Sequence, residues 1–337
     1  MNEGETFDRA FQLQRQGDWQ KARELYAAIL AVNPDNAGAW HMHGVVLHRL
    51  GNSSAAIDSL ECAIRLNPKV ADFHNNLGAV HYDVGNRKVS QNYFVKAIAL
   101  RPDYADPLVN LARIARDIGQ LTEAKQLVLQ ALAISTAHAE GWQLLGLIDV
   151  ATGEIPLAYQ HLRNARELQP NSTSVALRFS HVCCSLGKFD EAAKNLADLV
   201  VGHPNDSNLR IRLGEAHELR GDVASARNAF ATSAVLPSNP IGTLRQALAF
   251  PIVFQTQEEI DFYRRQLTSV IHELTDQRFL ASPVDLQQWG CIPPYALEHQ
   301  LENNVAIKSA LSKLIAGCIP TTEPRPSPNG PILCPSP

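Results

Sequence analysis

A glycine recurs every 34 residues through the first two thirds of this 337-residue chain. The residue that turns the chain between two antiparallel helices often needs a positive φ, which glycine adopts without steric cost. A fixed period of this length is typical of stacked helical units. The pattern therefore predicts a series of helix pairs, each with its turn at one of Gly17, Gly51, Gly85, Gly119, Gly153, Gly187 and Gly221.

Two further columns of residues keep the same period. Seven residues before each turn glycine stands a small residue, in the middle of the predicted first helix. Glycine inside a helix costs about 1 kcal/mol relative to alanine, so its recurrence predicts close approach of a second helix. Nine residues after each turn glycine comes a bulky apolar residue on the second helix. The small column is Ala10, Gly44, Gly78, Ala112, Gly146, Ser180 and Gly214, and the bulky column is Tyr26, Leu60, Phe94, Val128, Leu162, Leu196 and Phe230.

Together with a column of prolines that would end the second helices, these positions resemble the tetratricopeptide repeat pattern W-x2-L-G-x2-Y…A-x3-F…P. The fifth copy shows the match most fully, with Trp142, Leu145 and Gly146 in the first helix. The resemblance covers residues 3–238. It implies an all-α fold, a right-handed solenoid of seven helix pairs whose first helices line a concave groove. The prolines are Pro34, Pro68, Pro102, Pro170 and Pro204.

After residue 238 the 34-residue pattern stops. An apolar extended run at 250–254 lies between two predicted helices, and the second of these begins with the capping-box pattern Thr256-x-x-Glu259. We expect residues 239–316 to form a small, incomplete α/β-like segment. The proline-rich residues 317–337 are expected to be a disordered tail. The helices predicted in this part are 241–249, 257–274 and 303–316.

The same region carries a second resemblance. The run Ala249 to Phe254, with Glu258-Glu259-Ile260 and Arg264 to Leu267 after it, is similar to the segment that joins repeats to the catalytic region in bacterial O-linked N-acetylglucosamine transferase-like (SPINDLY-type) proteins. Pro294 to Leu297, followed by Asn303-Asn304, resembles the next motif of that family. The resemblance implies a truncated catalytic region that lacks the nucleotide-sugar-binding lobes. A natural truncation and a shifted reading frame both remain open.

Composition and charge exclude some classes of function. The 30 basic and 34 acidic residues give no general attraction to nucleic acid or to a membrane surface. The acidic N-terminus has no signal-peptide pattern, and no apolar run reaches the roughly 18 to 20 residues of a membrane helix, so the sequence predicts a cytoplasmic protein. The six cysteines include no Cys-x-x-Cys pair, which favours reduced thiols packed as small apolar residues.

No motif for catalysis or for cofactor binding is recognisable. The chain lacks a Gly-x-Ser-x-Gly elbow and a phosphate-binding glycine loop. His41 and His43 stand two residues apart, so they diverge on a helix instead of converging on a metal. Since His43 occupies the leucine column and His74 the tryptophan column, we interpret both as packing residues. We therefore expect no catalytic residue, no metal and no cofactor in this chain.

The tetratricopeptide resemblance implies which side chains face the groove. Asn76 and Asn110 match an asparagine ladder that grips a peptide backbone in transferase-type repeats, and an amide can both donate and accept hydrogen bonds. Met42 and Leu144 are expected to offer apolar contacts. The arginines would select an acidic peptide through charge-assisted hydrogen bonds. The predicted groove residues are Met42, His48, Asn75, Asn76, Tyr82, Asn110, Arg113, Arg116, Arg178 and Arg212.

Three functional hypotheses follow from these patterns. The leading one is a non-enzymatic protein-interaction module that binds an extended or helical partner peptide, with no nucleic acid and no membrane as partner. The alternative is the substrate-recruiting N-terminal part of an O-GlcNAc-transferase-like glycosyltransferase whose catalytic lobes are encoded elsewhere. The third is a scaffold that self-associates through its end repeats.

Overall fold

The computed structural model describes residues 2–235, 240–249 and 257–276, together with single residues at 307, 309, 310 and 313. These residues form sixteen helices, and no strand occurs among them. The helices are α1 Glu3–Arg15, α2 Trp19–Val32, α3 Ala37–Arg49, α4 Ser53–Leu66, α5 Ala71–Asp83, α6 Arg87–Leu100, α7 Ala105–Asp117, α8 Leu121–Ile134, α9 Ala139–Ala151, α10 Ile155–Leu168, α11 Thr173–Ser185, α12 Phe189–Gly202, α13 Ser207–Arg220, α14 Val223–Val235, α15 Pro240–Leu248 and α16 Gln257–Asp276.

The chain forms two compact units, residues 1–182 and 183–337, with the boundary inside α11. In the first unit, α1 to α10 form five helix pairs, and each of α2, α4, α6 and α8 packs on the first helix of the next pair. The first helices of neighbouring pairs also contact one another, from α3 through α5 and α7 to α9. In the second unit, each helix from α12 to α16 packs on the next. The order and length of α1 to α14 confirm the seven predicted helix pairs.

Every turn glycine has the predicted backbone conformation. Their φ angles lie between 70° at Gly187 and 84° at Gly17, in the left-handed region. In the first pair, the Gly17 N–H donates to the Gln14 carbonyl and the next N–H, from Asp18, donates to the Leu13 carbonyl at 2.9 Å. The glycine thus lets the chain reverse while satisfying carbonyls at the end of the first helix.

The small column and the bulky column meet, as predicted. A Cβ placed on Gly44 would lie 2.7 Å from Cγ of Leu60, and one on Gly78 would lie 2.7 Å from Cε1 of Phe94. Both distances are too short for real carbon atoms. The first and second helices of a pair therefore approach so closely that the larger side chain of one fills the space left by the missing side chain of the other.

The tryptophan column has a hydrogen-bonding role as well as a packing role. Nε1 of Trp142 donates to the carbonyl of Thr136 at 2.8 Å, across the turn between α8 and α9. His74 occupies the same column, is 6% exposed, and places Nε2 at 2.8 Å from the carbonyl of Pro68. His74 is thus a packing residue, as interpreted from the sequence, and it also replaces the indole N–H as the partner of the turn carbonyl.

The helices after the repeats begin close to their predicted positions, at Pro240 and Gln257. Arg227 of α14 holds them in place, because Nη1 donates to the Gln246 carbonyl at 3.0 Å and Nη2 donates to Oε1 of Gln266 at 2.8 Å. Its guanidinium also lies 5.0 Å from the centre of the Tyr263 ring. The predicted extended run 250–254, the helix 303–316 as an element and the tail 317–337 lie outside the described residues.

The three cysteines in the described residues, Cys62, Cys183 and Cys184, are free thiols, as predicted. Cys183 is fully buried, and burial raises its pKa to about 12. Such a thiol stays protonated and packs as a small apolar side chain. Among the described helices, none is both long enough and apolar enough to cross a membrane.

Candidate functional site

A cavity of about 510 Å³ opens in the first unit between α5, α7, the start of α9 and the end of α10. Three of the predicted groove residues, all asparagines, line it together. Three charged or titratable residues that the sequence analysis did not single out line it as well. The polar side chains of the cavity are Asn75, Asn76, Asp106, Asn110, His138, Glu140 and Gln169.

The side chain of Asn76 is hydrogen-bonded to a histidine of the preceding repeat. Its Nδ2 lies 2.7 Å from Nε2 of His41, which is 7% exposed and packs its ring 4.7 Å from that of Phe73. Burial lowers the pKa of His41 to about 4, so the imidazole is neutral at pH 7 and Nε2 can accept from the amide. One N–H and the carbonyl oxygen of Asn76 remain available to a ligand.

Asn110 is positioned in the same way by Asn75. Nδ2 of Asn110 donates to Oδ1 of Asn75 at 3.1 Å, and Nδ2 of Asn75 faces the Tyr104 hydroxyl at 3.3 Å. Asn75 is 6% exposed, so both ends of its amide serve the protein interior. The structure therefore assigns Asn75 to positioning, whereas Asn110 keeps its oxygen and one N–H toward the cavity.

His138 joins two first helices at the rim. As the N-cap of α9, its Nδ1 accepts from the Gly141 N–H at 3.0 Å, which leaves the ring proton on Nε2. Nε2 donates to Oδ1 of Asp106 in α7 at 2.9 Å, and this hydrogen bond raises the pKa of His138 and lowers that of Asp106. Protonation of Nδ1 would break the helix cap and so opposes the rise. Asp106 and His138 are 32 residues apart, close to one repeat length, and this spacing is the sequence feature that could have pointed to their contact.

The predicted arginines of α7 do not line the cavity and are already paired. Nη2 of Arg113 lies 3.3 Å from Oε2 of Glu140, and the same guanidinium stands 5.8 Å from the centre of the Tyr82 ring. Nη2 of Arg116 lies 2.7 Å from Oδ1 of Asp117, and Oδ2 of Asp117 accepts from the Tyr82 hydroxyl. The Arg113–Glu140 pair joins α7 to α9, whereas the Arg116–Asp117 pair lies within α7. Both occupy the charges expected to attract an acidic peptide.

The other predicted groove residues are outside the cavity. His48 places Nε2 at 2.8 Å from Oδ2 of Asp83, in the next first helix. Met42 is half-buried against the apolar cluster of α1 to α3. Leu144 is 4% exposed within the apolar cluster of α7 to α9, so it has little surface left for a ligand.

Two further arginines differ in their surroundings. Arg178 has no acidic partner among the described residues, and desolvation of its guanidinium together with the charge of Arg116 lowers its pKa. Arg212, in the second unit, donates Nη1 to Oε2 of Glu215 at 2.9 Å. Neither residue lines the cavity.

A separate polar cluster surrounds a fully buried carboxylate. Asp149 of α9 is 0% exposed and accepts from Nζ of Lys125 at 2.8 Å and from Nδ1 of His161 at 2.5 Å. The ring of Trp142 stacks on His161 with centres 5.5 Å apart. The cluster joins α8, α9 and α10. Over the described part of the chain, no three His, Cys, Asp or Glu residues are grouped so that they could hold a metal ion.

Packed helix pairs of 34 residues, each turned by a positive-φ glycine, define a helical repeat protein. A family model described as tetratricopeptide repeat matches residues 7–71, 75–140 and 185–240, which is more than half of the chain. The chain therefore belongs to the tetratricopeptide repeat family.

Solved structures show the same fold at low identity. PilF of Pseudomonas aeruginosa has a TM-score of 0.53 at 20% identity and covers 62% of this chain and 94% of that one. PilW, described as a widely conserved type IV pilus biogenesis factor, has the same TM-score at 21% identity, covering 62% and 96%. Human IFIT1, solved as a dimer with m7Gppp-AAAA, has a TM-score of 0.57 at 16% identity, covering 80% and 72%. A comparison with curated proteins found no match.

Proposed function

We propose that this protein is an interaction module and that its first unit binds an extended segment of a partner protein along α5, α7 and α9. The observation that carries the proposal is the pair formed by Asn76 and Asn110. Each amide is anchored to a neighbouring first helix and still presents an acceptor and a donor to the cavity. A peptide backbone offers the complementary groups, so two such amides, one repeat apart, suit an extended chain.

The size of the cavity supports this proposal. A volume of about 510 Å³ is within the range of roughly 300–1,000 Å³ that binding pockets occupy. It suits part of a peptide, such as one or two side chains, and is too small for a folded domain. Because His41 and Asn75 hold the two amides in advance, a ligand would not have to order them on binding.

A random dodecapeptide library displayed on phage tests the proposal, because such a selection needs no identified partner. We expect peptides selected on the wild-type protein to bind the Asn76→Ala/Asn110→Ala variant at least about tenfold more weakly, because each amide contributes about 1 kcal/mol. Asn92→Ala is a matched control, since Asn92 is exposed on the second helix α6. Equal binding of all selected peptides to wild type and double variant would reject this role of the asparagines.

A second proposal concerns residues 239–316 as the start of a glycosyltransferase-like region. Its support is the sequence similarity around Ala249, which directly follows α15, and around Arg264 to Leu267, which belong to α16. In that case the chain would recruit protein substrates for a catalytic half encoded elsewhere. Sugar transfer from a nucleotide donor to a bound protein, seen only when a separately encoded catalytic half is added, is the expected result. Transfer by the 337-residue chain alone, or none in either case, would contradict it.

A further inference from the structure

We propose that the cavity receives a positively charged side chain, lysine or arginine, from the partner peptide. This inference rests on the proposed peptide binding and adds the chemistry of one residue of the ligand. It differs from the sequence-based prediction of an acidic partner, which rests on the arginines. The groups that line the cavity determine which sign of charge the ligand side chain should carry.

Two carboxylates and one histidine are the titratable groups of the lining. Asp106 and Glu140 both line the cavity, with side chains that are 53% and 60% exposed, whereas no lysine or arginine of the described residues lines it. Oδ1 of Asp106 accepts from His138, and Oε2 of Glu140 accepts from Arg113. A carboxylate offers about four acceptor positions on two oxygens, so each can take a further donor from an ammonium or guanidinium group.

The remaining polar groups also favour a cation. The free amide oxygens of Asn76 and Asn110 can accept from the same ligand. Leu168 and Gln169 bring the C-terminal end of α10 to the lining, and the last carbonyls of a helix carry partial negative charge. The first turns of α7 and α9 carry the opposite partial charge, but Asp106 and Glu140 stand in those turns and offset it.

An acidic ligand would meet unfavourable electrostatics here. To bind Arg113, a ligand carboxylate would have to displace Glu140 at 3.3 Å and would then stand close to that displaced charge. Arg116 is likewise engaged by Asp117. A cationic side chain can instead add to the existing pairs without breaking any of them.

The phage-displayed dodecapeptide library also tests this inference. We expect peptides selected on the wild-type protein to be enriched in lysine or arginine at one position relative to the unselected library. A synthetic selected peptide should lose about tenfold in affinity when the protein carries Asp106→Asn/Glu140→Gln, by isothermal titration in about 50 mM salt. Replacing the basic residue of the peptide by glutamine should cause a similar loss, and the two losses should not add.

Glu123→Gln is the matched control, because Glu123 is an exposed acid in the first turn of α8 and does not line the cavity. It should leave affinity unchanged, and circular dichroism should show the same helix content in all variants. Selected peptides that depend on Asn76 and Asn110 but carry no basic residue, or that carry acidic ones, would overturn this inference and leave peptide binding intact. Selected basic peptides that bind the Asn76→Ala/Asn110→Ala variant as well as the wild type would instead overturn the proposed binding of the peptide backbone by these asparagines.

Discussion

Asn76 contacts His41 across 35 residues, with Nδ2 of the amide 2.7 Å from Nε2 of the imidazole. Asn110 and Asn75 repeat this relationship across the same separation at 3.1 Å. The first helices α3 and α5 therefore each orient a polar side chain of the next first helix. This step from helix to helix places two amides side by side in a cavity that neither repeat could form alone.

The buried imidazole of His41 makes stability depend on pH. Its pKa is about 6.5 in the unfolded chain, but burial lowers the pKa to about 4 in the folded protein. Between these values the unfolded state holds more protons, so the free energy of unfolding falls as the pH falls, by up to about 3 kcal/mol at pH 4. Urea unfolding at pH 7 and pH 4 should show a smaller fall for His41→Gln than for wild type. Equal losses would contradict the prediction.

The close approach at Gly78 predicts an unusual response to alanine. Alanine normally stabilises a helix interior by about 1 kcal/mol relative to glycine, but here its Cβ would lie 2.7 Å from the Phe94 ring. We expect Gly78→Ala to destabilise the protein by about 1–3 kcal/mol in urea unfolding. Gly38→Ala is the control, because its Cβ would meet nothing closer than 3.4 Å. A stabilised Gly78→Ala variant would show that the helices can move apart freely.

Asp149 should be among the most sensitive polar positions of the first unit. Removing its side chain by Asp149→Ala leaves Lys125 and His161 without their buried acceptor, at an expected cost of about 2–4 kcal/mol. Glu167→Ala removes an exposed ion pair with Arg163 and should cost at most about 0.5 kcal/mol. Thermal unfolding followed by circular dichroism compares the two, and equal effects would refute a special role for the cluster.

The indole N–H of Trp142 allows a test of one hydrogen bond. Trp142→Phe keeps an aromatic ring but removes the donor to the Thr136 carbonyl, so we expect a loss of about 1 kcal/mol plus a packing contribution. Trp19→Phe estimates the packing contribution, since Trp19 is half-buried and packs against the apolar cluster of α1 to α3. If both substitutions have the same effect in urea unfolding, the carbonyl contact contributes nothing measurable.

Backbone geometry and packing volumes were predictable because they are local or periodic. A glycine such as Gly51 must turn the chain, and a gap at Gly44 must face a bulky side chain such as Leu60, wherever the repeats lie in space. The interpretation of His74 as a packing residue is confirmed for the same reason: its column defines its surroundings. The groove residues depend on more than their column, as Leu144 shows by being buried.

The sequence by itself therefore determined the helix pairs, their turns and the contacts within each pair, since period and side-chain size express them directly. Only the tertiary structure decided which polar groups are free to bind. Arg113 is paired with Glu140, 27 residues away, and Asn75 is buried behind Asn110, because neighbouring first helices pack at one register and bring these side chains within hydrogen-bonding distance. That register follows from the packing of whole helices, which no single column of the repeat encodes.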